Sequence, residues 1–335
     1  MLRFAIPSKG NGYETSVALL ERCGLKISRT YERQYTARLR GLEHTELLLH
    51  RPSDIVEKVA NGDIDMGITG MDMVREQRDD DDDLLVLIDD LGFWRVALYL
   101  AAPQTWIDVS TWRDLADLAV EYHEQGKPLR IATKYPYLVR RFCYSQGIYA
   151  FRIVPSEGAT EAAPALGYAD IIADIVETGT ALRDNQLKVV GEPLLRSNAC
   201  LIGSRRRLKQ HPERMPIVRQ LLELIEAQRR GRTLHSLIAN IAGDSVEHVG
   251  RLVTAAPELS GLQGPTIAPV WNKHHDAAQN WFAVNVVVPQ ECLLPAVDHL
   301  RQIGASTVTV TAVEYAFQHT SSAYQNLLAV LHEDA

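Results

Sequence analysis

The stretch with the clearest chemical pattern is an apolar run, Ala169 to Val176, which ends in the loop-like residues Glu177 to Thr180. A helix-like segment follows directly, so the order predicts a strand, a tight loop and the N-terminus of a helix. Gly179 would let the backbone approach a ligand closely, and free N–H groups at the helix start favour an anion. Asp174 and Glu177 can accept hydrogen bonds from sugar hydroxyls. A phosphate cradle beside carboxylates indicates a ribose phosphate, while helix capping alone also selects threonine and glycine at such a position.

A cation-bearing loop follows the first apolar segment of the chain. Arg3 to Pro7 predicts a short strand that ends in Ser8-Lys9-Gly10-Asn11-Gly12. A lysine at the end of a strand places a mobile ammonium group over free backbone N–H groups, an arrangement that suits a pyrophosphate. A solvated surface lysine explains the same segment equally well.

Both patterns occur twice, which predicts two related lobes. A strand followed by a hydroxyl and a lysine returns at Leu129 to Lys134, and a strand followed by Thr-Gly also occurs at Ile64 to Gly70. Strands alternating with helices predict a largely parallel sheet in each lobe, with ligands at the carboxyl ends of the strands. We therefore expect two α/β lobes facing each other across a cleft. Lobe I is predicted at 1–103 and 183–227, including a linking helix, and lobe II at 104–182.

The last third of the chain predicts a separate module. Between 228 and 317 the strands and helices follow a βαββαβ order, which is the order of a ferredoxin-like fold. Such modules often bind small effectors, although the fold alone does not establish this. Residues 318–335 predict a short amphipathic tail helix. The predicted strands of the module are 234–241, 266–270, 281–288 and 307–313, and its helices are 245–254 and 291–303.

Composition narrows the classes of function. The 335 residues include 35 basic and 42 acidic side chains, and the net charge of -7 argues against a general nucleic-acid or membrane-surface binder. The four cysteines are scattered without a CxxC pair, which argues against a disulfide framework or a zinc site and fits a reducing compartment. With neither a signal-like segment nor a long apolar run in the sequence, we expect a cytoplasmic protein with no membrane partner.

Taken together, these segments resemble the long form of ATP phosphoribosyltransferase, the enzyme family that opens histidine biosynthesis. The resemblance extends over nearly all of the chain up to about Phe317, and the combination of segments is specific although each alone is not. It implies two facing lobes of the periplasmic-binding-protein-like type plus a C-terminal ferredoxin-like regulatory domain. The segments that carry it are RFAIPSKG, RPSDIVEKVANGDIDMGITGMD, LGFWRVAL, RIATKYPYLVRRF, GATEAAPALGYADIIADIVETGTALRDNQL, ACLI, GPTIAP and IGASTVTV.

The resemblance implies a reaction in which N1 of the ATP adenine is joined to C1 of phosphoribosyl pyrophosphate (PRPP), with Mg²⁺, and pyrophosphate is released. N1 already has a free lone pair, so the protein needs no strong general base. It needs to stabilise the charge on the leaving group and to align the two reactants. Lys9, Arg51 and Glu161 are the implied catalytic residues, with Lys9 and Arg51 at the pyrophosphate and Glu161 in a proton-transfer or purine-positioning role. A first-turn glutamate that complements the helix dipole is the other explanation of Glu161.

The remaining implied site residues fall into two groups. No protein ligands to the metal are singled out, because family magnesium is held largely by the substrate's phosphates and water. The implied PRPP-binding residues are Asp174, Glu177, Thr178, Gly179, Thr180, Ala181 and Leu182, and the implied nucleotide-binding residues are Asp72, Thr133, Lys134, Tyr135, Gly158, Ala159 and Thr160.

The resemblance also implies regulation and assembly. Long forms bind histidine as a feedback inhibitor in the third domain and form hexamers assembled from dimers, so a homo-oligomer is expected. The matching effector positions are Asn240, Thr266 and Thr307. Three departures from the family pattern concern the sites: Asn11 stands where an arginine is usual, Asn240 stands where an acid is common, and Gly264 stands where a serine is common.

Two other functions fit parts of the sequence. A two-lobed small-molecule binding protein would share the facing α/β lobes, but such proteins are normally exported and this sequence shows no signal peptide. A catalytically silent paralogue acting as a regulatory subunit is suggested only by Asn11. The joint retention of Lys9, the Thr-Gly-Thr loop and Glu161 favours the enzyme.

Overall fold

The computed structural model divides into two compact units, residues 1–218 with 326–335 and residues 219–325. None of the helices in the described part of the chain has the length and apolar character that a membrane crossing requires. Thr178, a predicted PRPP-binding residue, and the end of the predicted tail helix at 333–335 lie outside the described residues. The structure describes residues 1–29, 31, 34–78, 82–156, 158–177, 179–260, 264–271 and 280–332.

The first unit alternates strands with helices along most of its length. Its strands are β1 (Leu2–Pro7), β2 (Lys26–Ser28), β3 (Thr36–Arg40), β4 (Thr45–His50), β5 (Met66–Gly70), β6 (Leu84–Ile88), β7 (Val96–Pro103), β8 (Leu129–Thr133), β9 (Phe151–Pro155), β10 (Ile171–Val176), β11 (Leu187–Ser197) and β12 (Ala199–Ser204). Its helices are α1 (Gly10–Arg22), α2 (Pro52–Ala60), α3 (Met71–Arg78), α4 (Trp112–Glu124), α5 (Pro136–Ser145), α6 (Thr180–Asp184) and α7 (Arg205–Gln210).

The first lobe is built on a sheet with strand order β2-β3-β4-β1-β5-β12-β6. β1 pairs parallel with both β4 and β5, and every residue of the central strand β5 is buried. The apolar face of α2, with Ile55, Val56 and Val59, packs against Ala5 and Ile202 of this sheet. The register puts the carboxyl ends of β1, β4 and β5 at one edge, where α1, α2 and α3 begin.

The start of α2 differs from the sequence-based expectation. The residues Pro52-Ser53-Asp54 predict a helix start with Ser53 as the N-cap, but the N-cap residue is Arg51 and Pro52 occupies the first helical turn. Proline suits the first helical position because its missing N–H would have no helical partner there. The helix therefore begins directly at the strand end that carries Arg51.

The second lobe is built on a sheet with strand order β11-β7-β10-β8-β9. This membership differs from the predicted boundaries at 103 and 183, which placed β7 and β11 in lobe I. The chain crosses to the second sheet in the segment 89–95 and returns at Asn198, where the Asn198 side-chain amide donates to the Asp89 carbonyl at 2.6 Å. The two crossings lie side by side, because the Ala199 N–H donates to the Phe93 carbonyl at 3.0 Å.

The expectation of a largely parallel sheet in each lobe is wrong. In the first sheet β12 pairs antiparallel with β5 and β6, and in the second β7 pairs antiparallel with β10 and β11. These strands carry the chain into or out of a lobe, so they run opposite to the strands of the alternating strand-helix units. The parallel strands that carry the predicted loops, β8, β9 and β10, remain neighbours.

The second unit has the predicted ferredoxin-like order. Its sheet has the strand order β14-β15-β13-β16, all antiparallel. Helices α9 and α10 cover one face, where Leu237, Ile241, Val249 and Leu300 form part of the core. The elements are α8 (Met215–Gly231), which leads into the unit, β13 (Leu234–Ala242), α9 (Val246–Thr254), β14 (Thr266–Pro269), β15 (Trp281–Pro289), α10 (Leu293–Gln302) and β16 (Val308–Ala312). The last helix, α11 (Ser322–His332), begins in the second unit, and its residues from 326 onward belong to the first unit.

Candidate active site

Three loops of the second lobe meet at one edge of its sheet. Ala173 of β10 pairs in parallel with Thr133 of β8, and Thr133 pairs in parallel with Pro155 of β9. The segments that follow these strands are therefore adjacent, and the Ser156 N–H donates to the Thr133 carbonyl at 3.0 Å. This edge collects the predicted nucleotide loops and the predicted PRPP loop.

A cavity of about 280 Å³ lies at this edge. It brings together Glu161, Asp174, Glu177 and the start of α6, residues that are up to 21 positions apart in sequence. Three acidic residues line it, together with apolar residues of β10 and residues at the start of α6. The lining residues are Glu161, Ile172, Asp174, Ile175, Val176, Glu177, Gly179, Thr180, Ala181 and Leu182.

The start of α6 has the geometry that the Thr-Gly-Thr pattern predicts, with one exception. Gly179 has φ +72°, a left-handed conformation that glycine adopts without steric cost. Thr180 and Ala181 are exposed. Leu182, in contrast, is buried among Ala101, Ile172 and other core residues, so only its main chain is placed to reach a ligand.

Burial and charge act together on Asp174. Withdrawal from water raises the pKa of its carboxyl, and the negative charge of Glu161 raises it further. The Ile175 N–H, which donates to Asp174 Oδ1 at 2.8 Å, and the cation of Lys134 act in the opposite direction. Asp174 and Glu161 are thus a pair of carboxylates in this cavity, and their mutual repulsion would be relieved by a cation or by hydroxyl donors.

The nucleotide loops contain both exposed and buried members. Lys134 and Gly158 are exposed, whereas Thr133 and Thr160 are buried at 1% and 0% exposure. Thr133 Oγ1 accepts a hydrogen bond from the Tyr135 N–H at 2.9 Å, and Thr160 Oγ1 lies 2.9 Å from Ser156 Oγ. The two threonines therefore shape the loops.

The loop that precedes Glu161 turns at a non-glycine residue. Ala159 has φ +50°, a left-handed conformation that costs an alanine roughly 1–2 kcal/mol. A short 3-10 turn, Thr160–Ala162, follows immediately and places Glu161 in the cavity wall. Strained backbone of this kind persists where the surrounding structure determines it and is often found at ligand sites.

The first lobe places the two predicted phosphate-binding cations at one sheet edge. Pro7 pairs in parallel with His50, and the Ser8 N–H donates to the His50 carbonyl at 2.8 Å. Lys9 and Arg51 follow these neighbouring strand ends, and both are exposed. His50, which sequence reasoning did not single out, is partly buried, and burial and the Lys58 cation lower its pKa.

The Lys9 loop meets the predicted PRPP loop of the other lobe. Asn11 Nδ2 donates to Glu177 Oε1 at 3.2 Å, a contact between the first turn of α1 and the segment after β10. Gly12 belongs to the same turn, and a Cβ atom there would lie 2.8 Å from the ring of Trp94. This close packing explains the second glycine of the loop and fixes α1 against the crossing between the lobes.

Asp72 and Tyr135 are not open to the cleft. The Tyr135 hydroxyl donates to Asp72 Oδ2 at 2.8 Å, and the Ser197 hydroxyl donates to Asp72 Oδ1 at 2.6 Å. The three side chains are only 4–6% exposed. Gly70 makes room for the carboxylate, because a Cβ atom at that position would clash with it. Both residues were predicted to line the nucleotide side, and the structure instead joins them in a buried network between the lobes.

Comparison with known proteins assigns the chain to a family. A family model described as ATP phosphoribosyltransferase matches residues 51–227, more than half of the chain. A second model, described as HisG, C-terminal domain, matches residues 232–315. The chain belongs to the ATP phosphoribosyltransferase family. It is therefore a phosphoribosyltransferase of the first step of histidine biosynthesis, as the sequence segments predicted.

Individual relatives extend this similarity over the whole chain. A chloroplastic ATP phosphoribosyltransferase 2 of Arabidopsis thaliana is 37% identical over 334 residues, covering 98% of this chain and 80% of the relative. An ATP phosphoribosyltransferase of Bradyrhizobium is 34% identical over 333 residues, covering 98% of both. Among solved structures, the ATP phosphoribosyl transferase (HisG:HisZ) complex of Thermotoga maritima matches with a TM-score of 0.52 at 24% identity, covering 68% of this chain and 99% of that one. That structural match supports the fold.

Phosphoribosyltransferases generally use a divalent metal, and the chemistry of this cavity suits one. Carboxylate oxygens are the ligands that Mg²⁺ prefers, and it usually takes only one or two from the protein, with the rest from phosphates and water. Asp174 and Glu161 offer such oxygens. Across the described residues, no group of three or more His, Cys, Asp or Glu side chains is gathered to hold a metal ion.

Proposed function

We propose that the enzyme joins N1 of ATP to C1 of PRPP in the cleft between the two lobes of the first unit, with the residue roles described below. The observation that carries the proposal is the cavity at the start of α6, which joins Glu161, Asp174 and residues 179–182, together with the Asn11–Glu177 contact that brings the Lys9 loop to its entrance. A ribose phosphate fits this arrangement, with its phosphate on the backbone at Gly179 and its hydroxyls on Asp174.

In the reaction, the lone pair of adenine N1 forms a bond to C1 while the bond from C1 to the pyrophosphate oxygen breaks. Pyrophosphate leaves with that electron pair, so the protein needs to stabilise negative charge on the leaving group. Lys9 and Arg51, at neighbouring strand ends of the first lobe, would supply this stabilisation. Mg²⁺, when bound, would neutralise phosphate charge beside the carboxylates of Asp174 and Glu161.

Glu161 would orient the purine rather than act as an obligatory base, since N1 needs no deprotonation before it attacks. Lys134 and Gly158, which are exposed in the adjacent loops, would border the nucleotide. Thr133 and Thr160 would hold those loops in shape. Leu182 would contribute its main chain alone.

We also propose that the second unit binds histidine as a feedback inhibitor. Asn240 is exposed on the open face of the sheet, and the register places Thr307 opposite it, one residue beyond the Ala239–Val308 pair. Thr266 lies on the same face but is separated from Asn240 by β15. Asn240 and Thr307 would thus form the effector contact, with Thr266 at its margin.

We also propose that the enzyme forms a homo-oligomer, in which dimers assemble into hexamers, and that it is located in the cytoplasm. The open sheet face of the second unit carries Ile238 at 45% exposure, an apolar side chain that a neighbouring subunit would cover. The location is supported by the four cysteines, which are free thiols, as expected in a reducing compartment.

The test is to mix the enzyme with ATP, PRPP and Mg²⁺, and to follow product formation by ultraviolet absorbance with pyrophosphatase present. We expect Lys9→Ala to lower kcat/KM by about 100-fold, because a charge-assisted contact to the leaving group is worth roughly 1.5–3 kcal/mol. Lys26→Ala, an exposed lysine on β2, is the matched control and should retain activity. Product from the wild type and from Lys9→Ala at equal rates would refute the role of Lys9. Nucleotide binding without any product would indicate the silent paralogue.

A further inference from the structure

The helix after the predicted nucleotide turn takes its N-terminal cap from the other lobe. Glu76 lies on α3, which packs in the first lobe, yet its Oε1 accepts from the Tyr137 N–H at 2.9 Å and its Oε2 accepts from the Leu138 N–H at 3.0 Å. Both donors belong to the first turn of α5 in the second lobe. The N-cap residue of α5, Tyr135, provides no side-chain cap of its own.

With Glu76 in place, every backbone donor at the start of α5 has a partner. The Tyr135 N–H donates to Thr133 Oγ1, Pro136 has no N–H, Tyr137 and Leu138 donate to Glu76, and Val139 begins the helical ladder with a bond to the Tyr135 carbonyl at 3.0 Å. Buried or partly buried helix starts require such partners. Removal of the Glu76 carboxylate would leave two of these donors without a protein partner.

A second inter-lobe contact lies one helical turn away on α3. Asp72 and Glu76 are four residues apart, so they share one face of the helix. Asp72 accepts from the Tyr135 hydroxyl, while Glu76 accepts from the two residues beyond Pro136. Two carboxylates of the first lobe therefore hold both sides of a single turn of the second lobe.

Thr133 and Lys134 directly precede the N-cap residue of that turn. Thr133 ends β8 at the edge of the cavity, and Lys134 is exposed beside it, close enough for its charge to act on Asp174. The orientation of α3 relative to α5 therefore sets where Lys134 stands relative to the predicted nucleotide.

We propose that Glu76 is a positioning residue of the transferase, which acts by holding the turn at residues 133–135 in the arrangement that binds ATP and does not itself contact a substrate. This inference rests on the proposed function, because it assumes that ATP lies beside Lys134. When the binding-competent arrangement is only partly populated, the apparent dissociation constant rises by the inverse of its population. ATP would then be bound more weakly, while the saturated enzyme would still turn over.

The experiment compares Glu76→Ala with the wild type in steady-state kinetics and in ATP titration calorimetry. We expect the KM and Kd for ATP to rise about tenfold in Glu76→Ala, with kcat lowered less than threefold and the KM for PRPP changed less than twofold. Gln77→Ala, which removes the exposed neighbouring side chain, is the control and should match the wild type. Glu76→Gln keeps one acceptor oxygen and the side-chain volume, so its Kd for ATP should lie between those of the wild type and Glu76→Ala.

Three results would overturn the inference: an unchanged Kd for ATP in Glu76→Ala with only a lower melting temperature, an equal rise in both KM values, or a Kd for Glu76→Gln equal to that of the wild type. If Glu76→Ala does not fold, the Glu76→Gln titration decides alone. A wild type that binds ATP but forms no product would refute the proposed function instead, and the calorimetric comparison would still test Glu76.

Discussion

At Asp174 the carboxylate that would accept the ribose hydroxyls is also withdrawn from water, and burial raises its pKa. The folded protein therefore binds a proton at Asp174 more tightly than the unfolded chain does. This contribution to stability is fully present below the ordinary aspartate pKa of about 3.9, and it is lost as the pH rises through the raised folded value. Once the pH exceeds that folded value, the buried ionised carboxylate destabilises the fold.

We therefore expect Asp174→Asn to raise the melting temperature at pH 7 by about 1–3 °C and to lower kcat/KM by about 10- to 100-fold through loss of charge-assisted hydrogen bonds. The gain in melting temperature should shrink as the pH is lowered towards 4. Scanning calorimetry at the two pH values, with transferase assays, tests both parts. Asp184→Asn, at an exposed carboxyl of α6, should change neither property. A lower melting temperature for Asp174→Asn at pH 7 would contradict the argument.

The residue types in the sequence predicted which side chains would lie at the strand ends. They did not predict which other side chains each of them would contact. Asp174, Glu161 and Gly179 share one cavity, as strand-end loops on parallel strands should. Asp72 and Tyr135 were also at strand ends, yet their partners are each other and Ser197. Those contacts join residues 63 and 125 positions apart, and single-sequence patterns carry no information about such pairings. Leu182 could have been identified as a core residue, since leucine is seldom left exposed beside a polar loop.

At the scale of elements, the start of α6 depends on a backbone conformation that only a few residues adopt readily. Gly179 has φ +72°, and a Cβ atom there would meet Arg183 at an ordinary distance of 3.4 Å. Alanine at this position therefore causes backbone strain of roughly 1–2 kcal/mol without a steric clash. The strain would move the N–H groups that are expected to hold the phosphate.

Gly179→Ala is expected to raise the KM for PRPP at least tenfold and to destabilise the protein by roughly 1–2 kcal/mol. Gly167→Ala is a matched control, because Gly167 has φ +75° with open space around it and lies outside the cavity. It should show a similar loss of stability with an unchanged KM for PRPP. Gly179→Asn should recover part of the affinity, since asparagine tolerates the left-handed region. Equal KM values for the two alanine variants would refute the role of the loop.

The helices and strands themselves were predictable because the residues that start and stop them lie next to them in the sequence. Gly24 and the Asn61-Gly62 pair mark the C-terminal ends of α1 and α2, and Pro52 marks the start of α2. In β13 and β15, buried and more exposed residues largely alternate with the two-residue period of a strand. Sheet membership was not predictable in the same way. β7 and β11 lie in the second sheet because β7 pairs with β10 on one side and with β11 on the other, and these pairings depend on side-chain packing far along the chain. The crossings at residues 89–95 and at Asn198 follow from that pairing.

At the scale of the whole molecule, the proposed catalytic site and the proposed effector site lie in separate units. The cavity, the Lys9 loop and the inter-lobe network belong to residues 1–218, whereas Asn240 and Thr307 belong to residues 219–325. Inhibition by histidine would therefore require coupling between units, and a coupling free energy is measured by the change in one ligand's affinity when the other is present. The effector residues can be tested without altering any group in the cleft.

We expect L-histidine to inhibit the wild type, and Asn240→Ala and Thr307→Val each to raise the half-inhibitory concentration at least tenfold. The reason is that each removes a polar partner from the open face of the sheet, where a bound amino acid would need one. The measurement is the ratio of rates with and without histidine, so a change in the uninhibited rate does not affect it. Thr311→Val is the matched control, since Thr311 is exposed on β16, the strand that directly follows Thr307, and pairs with Ser236 at the far end of β13. If the half-inhibitory concentration of histidine is the same for Asn240→Ala as for the wild type, the effector binds elsewhere. A wild type that binds no histidine at millimolar concentration would show that this chain is not regulated in this way.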